Sequence, residues 1–279
     1  MAGADLTHAD WLRSVPDLVD DCRAEWGLRL GEPYEAGAVG YTVRAELPDG
    51  TPAVLKLSYP HRESEHEAAA LALWDGDGAV RLLAEDRDRW ALLLERCEPG
   101  TQLYEAGADR ALDVIAGLLP RLWKPAAAPF RPLSDEAAWW RSYLPEQWEQ
   151  APTFERRLFD EALAALDELP ATQGEQVLLH QDLHAENVLA AEREPWLVID
   201  PKPLVGEREF GLAPVIRAFE LGHSEVAVRH RLDRLTSELG LDRERARRWA
   251  IAQTLAWAWD SAWSEEHVET VRWLVEASR

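Results

Sequence analysis

The segment 177–202 concentrates the residue types able to do chemistry. It reads Val177-Leu178-Leu179-His180-Gln181-Asp182-Leu183-His184-Ala185-Glu186-Asn187-Val188-Leu189 and, a few residues on, Trp196-Leu197-Val198-Ile199-Asp200-Pro201-Lys202. Apolar runs flank a polar loop that carries an Asp and an Asn, and a second Asp ends the next apolar run. Asn187 lies five residues after Asp182, and Asp200 thirteen after Asn187. Oxygen side chains grouped this way can bind a hard divalent cation and leave one carboxylate free as a base. A rival chemistry uses His180, Asp182 and His184, which alternate and could ligate Zn²⁺ from one strand for metal-dependent hydrolysis. The sequence has no Gly-x-x-x-x-Gly-Lys-Ser/Thr phosphate loop, and Gly76-Asp77-Gly78 is not followed by the third glycine of a dinucleotide fingerprint.

His-x-Asp-Leu-x-x-x-Asn resembles the catalytic loop of protein kinases. The form here, His180-Gln181-Asp182-Leu183-His184-x-x-Asn187 followed by Ile199-Asp200-Pro201-Lys202, is more similar to aminoglycoside phosphotransferases. Within them it most resembles the streptomycin 6-kinase and hydroxyurea phosphotransferase branch, with Asp-Pro-Lys in place of Asp-Phe-Gly. The resemblance implies that Asp182 accepts the proton of a substrate hydroxyl, while Asn187 and Asp200 hold Mg²⁺ on the phosphates of ATP. It assigns His180 and His184 to shaping the loop. It further implies a strand lysine gripping the phosphates, Lys56, paired with a helix glutamate; Glu67 is the best partner, with Glu63 and Glu65 as rivals. Glu95 and Cys97, in the connector 92–100, would offer backbone groups to adenine. The nucleotide loop is reduced to Gly37-Ala38-Val39-Gly40, so Gly37 and Gly40 are its candidates. Gln181 replaces the arginine that serves a phosphorylated activation loop, and no such loop follows Asp200. The resemblance therefore implies an unregulated small-molecule kinase rather than a protein kinase.

Positioning these residues requires two kinds of surroundings. Before residue 98 the pattern predicts a helix over 4–28 and strands over 39–47 and 53–58 joined by the Pro48-Asp49-Gly50 turn. A helix over 63–74 and strands over 80–84 and 90–94 follow. After Glu98-Pro99-Gly100, helices dominate, at 108–123, 134–149, 153–169, 224–239, 242–259 and 265–277, with the strand-rich insert 176–203 among them. The expected fold is α+β and protein-kinase-like, with a small antiparallel-sheet lobe (1–97) that binds nucleotide. A mainly helical lobe (98–279) would carry the catalytic loop and the substrate pocket.

For the acceptor, the stretch 257–266 combines indoles with carboxylates. Trp259, Asp260, Glu265 and Glu266 are its candidates, because carboxylates attract ammonium or guanidinium groups and indole faces suit cations and sugars. The i,i+4 spacing of Trp259 and Trp263 fits a buried helix stripe equally well. Trp148, within 145–149, is another candidate wall. The expected activity is ATP-dependent transfer to a hydroxyl of a cationic or polyhydroxylated small molecule, streptomycin at its 6-hydroxyl being foremost, in antibiotic resistance. A sugar or amino-sugar kinase of the same fold is the alternative.

Composition bounds the rest. The chain has 279 residues, 47% of them hydrophobic, and a net charge of −21. That apolar content supports a sizeable core and excludes a disordered chain. The acidity argues against a nucleic-acid backbone as partner. Apolar runs such as 114–119 are far shorter than a membrane span needs. Two cysteines make no disulfide framework, which together with the acidic N-terminal stretch points to the cytoplasm. A monomer or homodimer is expected.

Overall fold

The computed structural model describes residues 7–34, 40–150, 154–259 and 264–277. The N-terminal part is an antiparallel five-stranded sheet in the order β1-β2-β3-β5-β4: β1 (Arg29–Pro33), β2 (Gly40–Glu46), β3 (Pro52–Ser58), β4 (Leu82–Asp86) and β5 (Ala91–Glu95). Alternation along the strands divides the apolar residues between two faces. Leu55, Leu57, Ala91 and Leu93 face α1 (His8–Trp26), which buries Trp11, Val15 and Cys22 against them. Leu92 and Leu94 join α2 (Glu67–Trp74) and the core of the C-terminal part. One continuous core thus runs from the sheet's inner face into the helices.

Those helices are α3 (Ala108–Leu122), α4 (Leu133–Gln150), α5 (Arg156–Glu168), α6 (Ala213–Arg217), α7 (Glu225–Leu239), α8 (Arg243–Ala256) and α9 (Ser264–Glu276). Among them lie β6 (Arg131–Pro132), β7 (Gln176–Leu179), β8 (Val188–Ala190), β9 (Trp196–Val198) and β10 (Leu204–Glu207). β10 pairs antiparallel with β7, with Leu204 opposite Leu179, and parallel with β6. The strand entering the polar loop and the strand leaving Asp200 therefore lie side by side. Among the described residues, no helix is long and apolar enough to cross a membrane.

Several elements depart from the sequence expectation. The helix expected over 63–74 begins only at Glu67, because residues 61–66 form turns: Ser64 N–H bonds to the His61 carbonyl (3.2 Å) and Arg131 Nη1 donates to the Arg62 carbonyl (2.8 Å). Val80, expected to open the strand over 80–84, instead bonds β9 through its N–H on the Val198 carbonyl (3.0 Å), beside the Ala79–Val198 bridge, and β4 starts at Leu82. The edge strand β1 escapes the pattern because Arg29-Leu30-Gly31-Glu32-Pro33 is mostly exposed. β10 and α6 lie beyond the expected insert.

The close approach of β10 to α4 admits no side chain at Gly206. A Cβ there would lie 2.6 Å from the Cβ of Leu133 and 3.1 Å from Leu179 Cδ1. Overpacking a rigid interior costs about 1–3 kcal/mol. Gly206→Ala is therefore expected to lower stability in urea unfolding by about that amount; an unchanged midpoint would contradict the packing described.

Candidate active site

β8 and β9 form a hairpin whose register sets Val188 opposite Val198 and bonds Ile199 N–H to the Asn187 carbonyl (3.0 Å). Asn187 and Asp200, thirteen residues apart in sequence, thereby flank one hairpin mouth. His180 ties the polar loop to the same place. Its Nδ1 accepts from the Asp182 N–H (3.3 Å), and its Nε2 lies 2.8 Å from the Ile199 carbonyl and donates to it. Burial, with the ring stacked over Trp74, pushes its pKa down to about 4, so it is neutral. Both ring nitrogens are engaged, which removes His180 as a Zn²⁺ ligand and with it the alternating His-Asp-His site. Gln181 and Asp200 both adopt left-handed backbone (φ 63° and 57°), a strained state for non-glycine residues that occurs where surroundings over-determine it. Here Gln253 Nε2 holds the Gln181 carbonyl (2.9 Å) and Lys202 N–H the His180 carbonyl (2.9 Å).

From the sheet, Lys56 projects from the face of β3 opposite Leu55 and Leu57. Its Nζ bonds both Glu67 oxygens (2.6 and 2.7 Å) and pairs with Asp200. Of the three glutamates weighed as its partner, Glu67 is the one bonded. Burial works against the Lys56 charge, but Asp200 and Glu67 outweigh it and raise its pKa. Lys56 in turn holds the Asp200 carboxyl far below the usual range. Asp200 nevertheless keeps 45% of its side chain accessible, which leaves it open to a further ligand.

Asp182 is buried, and two cations share it: Lys202 Nζ pairs with Oδ2, and Arg217 Nη2 lies 3.3 Å from Oδ1. Burial alone would raise its pKa; Lys202, His184 and Arg217 reverse that and keep it ionised below the usual range. Arg217, itself buried, also donates to Gln253 Oε1 (2.6 Å) and lies 4.3 Å over the Trp257 ring. Asn187 Nδ2 donates to the Asp182 carbonyl (2.9 Å), which fixes the amide and leaves its oxygen as a neutral hard donor. Asp200 and Asn187 at one hairpin mouth form the oxygen-donor pair that suits Mg²⁺, which takes one or two protein ligands and completes its shell with water and phosphate.

The other candidates divide. Glu95's carboxylate is taken by Arg193 Nε and Nη2 (2.8 and 2.9 Å) and by Arg81 N–H (3.0 Å), and its own N–H bonds the Arg81 carbonyl (2.9 Å), so neither its side chain nor its N–H is open to a ligand. Arg193 also donates to the Gly76 and Ala79 carbonyls (2.8 and 3.0 Å), riveting the hairpin tip to the sheet. Cys97 is buried, its thiol pushed up to about 12 by desolvation. Gly40 opens β2 opposite Ser58. Trp259 packs on Phe154 and Phe159 (ring centroids 5.1 and 6.5 Å) and borders a cleft of about 360 Å³ with Trp139, Tyr143, Gln147 and Ala256. Trp148 stacks on Phe159 (5.0 Å) as a packing residue. Glu265 and Glu266 sit in the first turn of α9, where the Glu266 carbonyl meets His223 (3.2 Å); no described contact joins them to Asp182. Gly37 and Asp260 lie outside the described residues.

Sequence reasoning missed Arg217, Gln253 and the part played by Lys202. Lys202 stood inside the quoted Asp-Pro-Lys triplet, and Arg217 is a lone cation in the apolar run 212–219, a detectable signal. Gln253 gave none.

Residues 35–267 match the family described as aminoglycoside/hydroxyurea antibiotic resistance kinase. The chain is 42% identical over 252 residues to a hydroxyurea phosphotransferase of Kitasatospora aureofaciens, covering 88% of this chain and 73% of that protein. It is 39% identical over 253 residues to a streptomycin 6-kinase of Streptomyces griseus, covering 88% and 82%. Among solved structures, the fold matches choline kinase LicA from Streptococcus pneumoniae with a TM-score of 0.69 at 15% identity, covering 94% of this chain and 99% of that one. It also matches a thermostable mutant of aminoglycoside phosphotransferase APH(4)-Ia in complex with ADP and hygromycin B, with a TM-score of 0.66 at 12% identity, covering 92% and 96%.

Neutral His180 makes stability pH-dependent. Its folded pKa of about 4 lies below the 6.5 of an unperturbed imidazole, so between those values the unfolded chain binds a proton that the native state refuses. Stability contributed by His180 is complete above pH 6.5 and falls by about 3 kcal/mol as pH drops to 4. Urea midpoints measured across this range should fall more steeply for the wild type than for His180→Gln. Parallel curves would reject the assignment.

Proposed function

The chain belongs to the aminoglycoside/hydroxyurea antibiotic resistance kinase family, and on that premise we propose that it transfers the γ-phosphate of ATP to a hydroxyl of a streptomycin-like aminoglycoside, at the 6-position, as a resistance enzyme. The observation that carries this reading is the single cluster in which Lys56, Glu67, Asp182, Asn187 and Asp200 meet. The streptomycin 6-kinase of 39% identity supports the acceptor. Hydroxyurea is the second reading, favoured by the 42% identical hydroxyurea phosphotransferase.

Lys56, held by Glu67, grips the α- and β-phosphates of ATP. Asn187 and Asp200 would hold Mg²⁺, which when bound neutralises phosphate charge. Asp182 orients the acceptor hydroxyl and receives its proton as the acceptor oxygen bonds to the γ-phosphorus and ADP departs. Its low pKa keeps it ionised at neutral pH, ready for that role. Arg217 and the His180 ring fix where the carboxylate stands, so most of the rate comes from positioning and charge complementarity. Only Pro201, Lys202 and Pro203 separate Asp200 from β10, which leaves no segment for phosphorylation to order.

Asp182→Asn is expected to lower kcat by about 10³-fold while ADP affinity, measured by calorimetry, changes little. An active variant would remove the base assignment. ADP release with streptomycin, hydroxyurea and glucosamine as acceptors ranks the substrates. Glucosamine turning over about 100-fold better than both others, a gap of about 2.7 kcal/mol in barrier, would overturn the resistance reading.

A further inference from the structure

We propose that Lys202 is a catalytic residue whose ammonium binds the transferring phosphoryl group, with Arg217 as the lasting partner of Asp182. The inference rests on the phosphotransfer reading and extends it to a residue that reading does not use.

Three observations carry it. The first is position. Lys202 is the second residue after Asp200, its Nζ pairs with Asp182, and it lies within electrostatic range of Asp200 as well. The ammonium therefore bonds one end, and lies within electrostatic range of the other, of the interval from the carboxylate that would take the acceptor's proton to the one that would hold metal. A phosphoryl group moving from nucleotide to acceptor has to cross that interval. The second is the contrast between the two cations on Asp182. Arg217 is fixed at both Nη atoms, bonded to Gln253 and Asp182 and lying against Trp257, with 8% of its side chain accessible. Lys202 retains 21% accessibility and has one carboxylate bond, and its Nζ lies 5.2 Å from the centre of the same indole. One fixed cation suffices to orient a carboxylate. The second, a compact charge on a flexible stem, is suited to follow a moving anion, as a planar guanidinium is not. The third is the mount. Pro201 and Pro203 fix φ on both sides of Lys202, and its N–H is held by the His180 carbonyl (2.9 Å), so the stem rises from a rigid strut while only its head moves.

The acceptor oxygen forms a bond to the γ-phosphorus while the bond from that phosphorus to the bridging oxygen breaks. The electron pair of the broken bond leaves on ADP, and the acceptor's proton passes to Asp182. Negative charge on the equatorial oxygens of the γ-phosphoryl group meets the Lys202 ammonium, which is strengthened by its water-poor surroundings.

The contrast between ADP and β,γ-imido-ATP tests this, because the two ligands differ in the γ-phosphate. Calorimetric affinities are measured in the presence of Mg²⁺ for wild type, Lys202→Met and Lys202→Arg, with kcat from ADP release using the better acceptor. For Lys202→Met the expected result is ADP affinity within about twofold of wild type, β,γ-imido-ATP affinity about tenfold weaker and kcat lower by about 100-fold. Lys202→Arg should recover part of the imido-nucleotide affinity. Equal changes for both nucleotides, or none, would overturn the proposal and leave Lys202 as a positioning residue for Asp182. If Lys202→Met fails to fold by circular dichroism, the affinity ratio in Lys202→Arg and Lys202→Gln decides by the same criterion. A wild-type chain that binds neither nucleotide and phosphorylates no acceptor would instead overturn the kinase reading itself.

Discussion

A carboxylate withdrawn from water stays ionised only if cations and N–H groups replace the water it loses. Asp182 imposes that condition on much of the C-terminal part. Arg217 must come from α6, Lys202 from the strut after Asp200, and Gln253 from α8 to hold Arg217. His180 must remain neutral to accept the Asp182 N–H, which in turn requires its ring to be buried beside Trp74. The elements around the loop, distant in sequence, are held in place by one requirement of charge.

A second balance joins the two parts of the molecule. Lys56 belongs to the sheet and Asp200 to the hairpin, and their ion pair crosses between them while Glu67 shares the same ammonium. Beneath it, the Val80–Val198 backbone bond and the common apolar core give that crossing a fixed floor. Removing either carboxylate would leave a buried cation undercompensated, so the sheet and the hairpin are coupled before any ligand enters.

The sequence made the chemistry legible where function and pattern coincide. The alternation of β3 distinguishes Lys56 from its apolar neighbours, and the 177–202 segment carries its acids and amide at spacings that the β8–β9 register converts into proximity. What was not legible depends on three-dimensional compensation. Arg217 looks like an interruption in an apolar helix until Asp182 is seen to need it. Glu265 and Glu266 looked like a cation trap because acidity is visible in sequence, whereas the direction a helix turns its first residues is not. The turn at 61–66 overrode good helix formers because Arg131, from a remote segment, captures the Arg62 carbonyl. In each case a long-range partner decided a local outcome.

The rivet made by Arg193 has a mechanical consequence. It fastens the tip of the β8–β9 hairpin to Glu95, Gly76 and Ala79, at the β5 side of the sheet. Any breathing between the two parts must pivot close to this point, and displacement grows with distance from a pivot. The ledge beside β5 is then the quiet end of the cleft, and the rim under β1 and β2, at the far edge of the sheet, sweeps the widest arc.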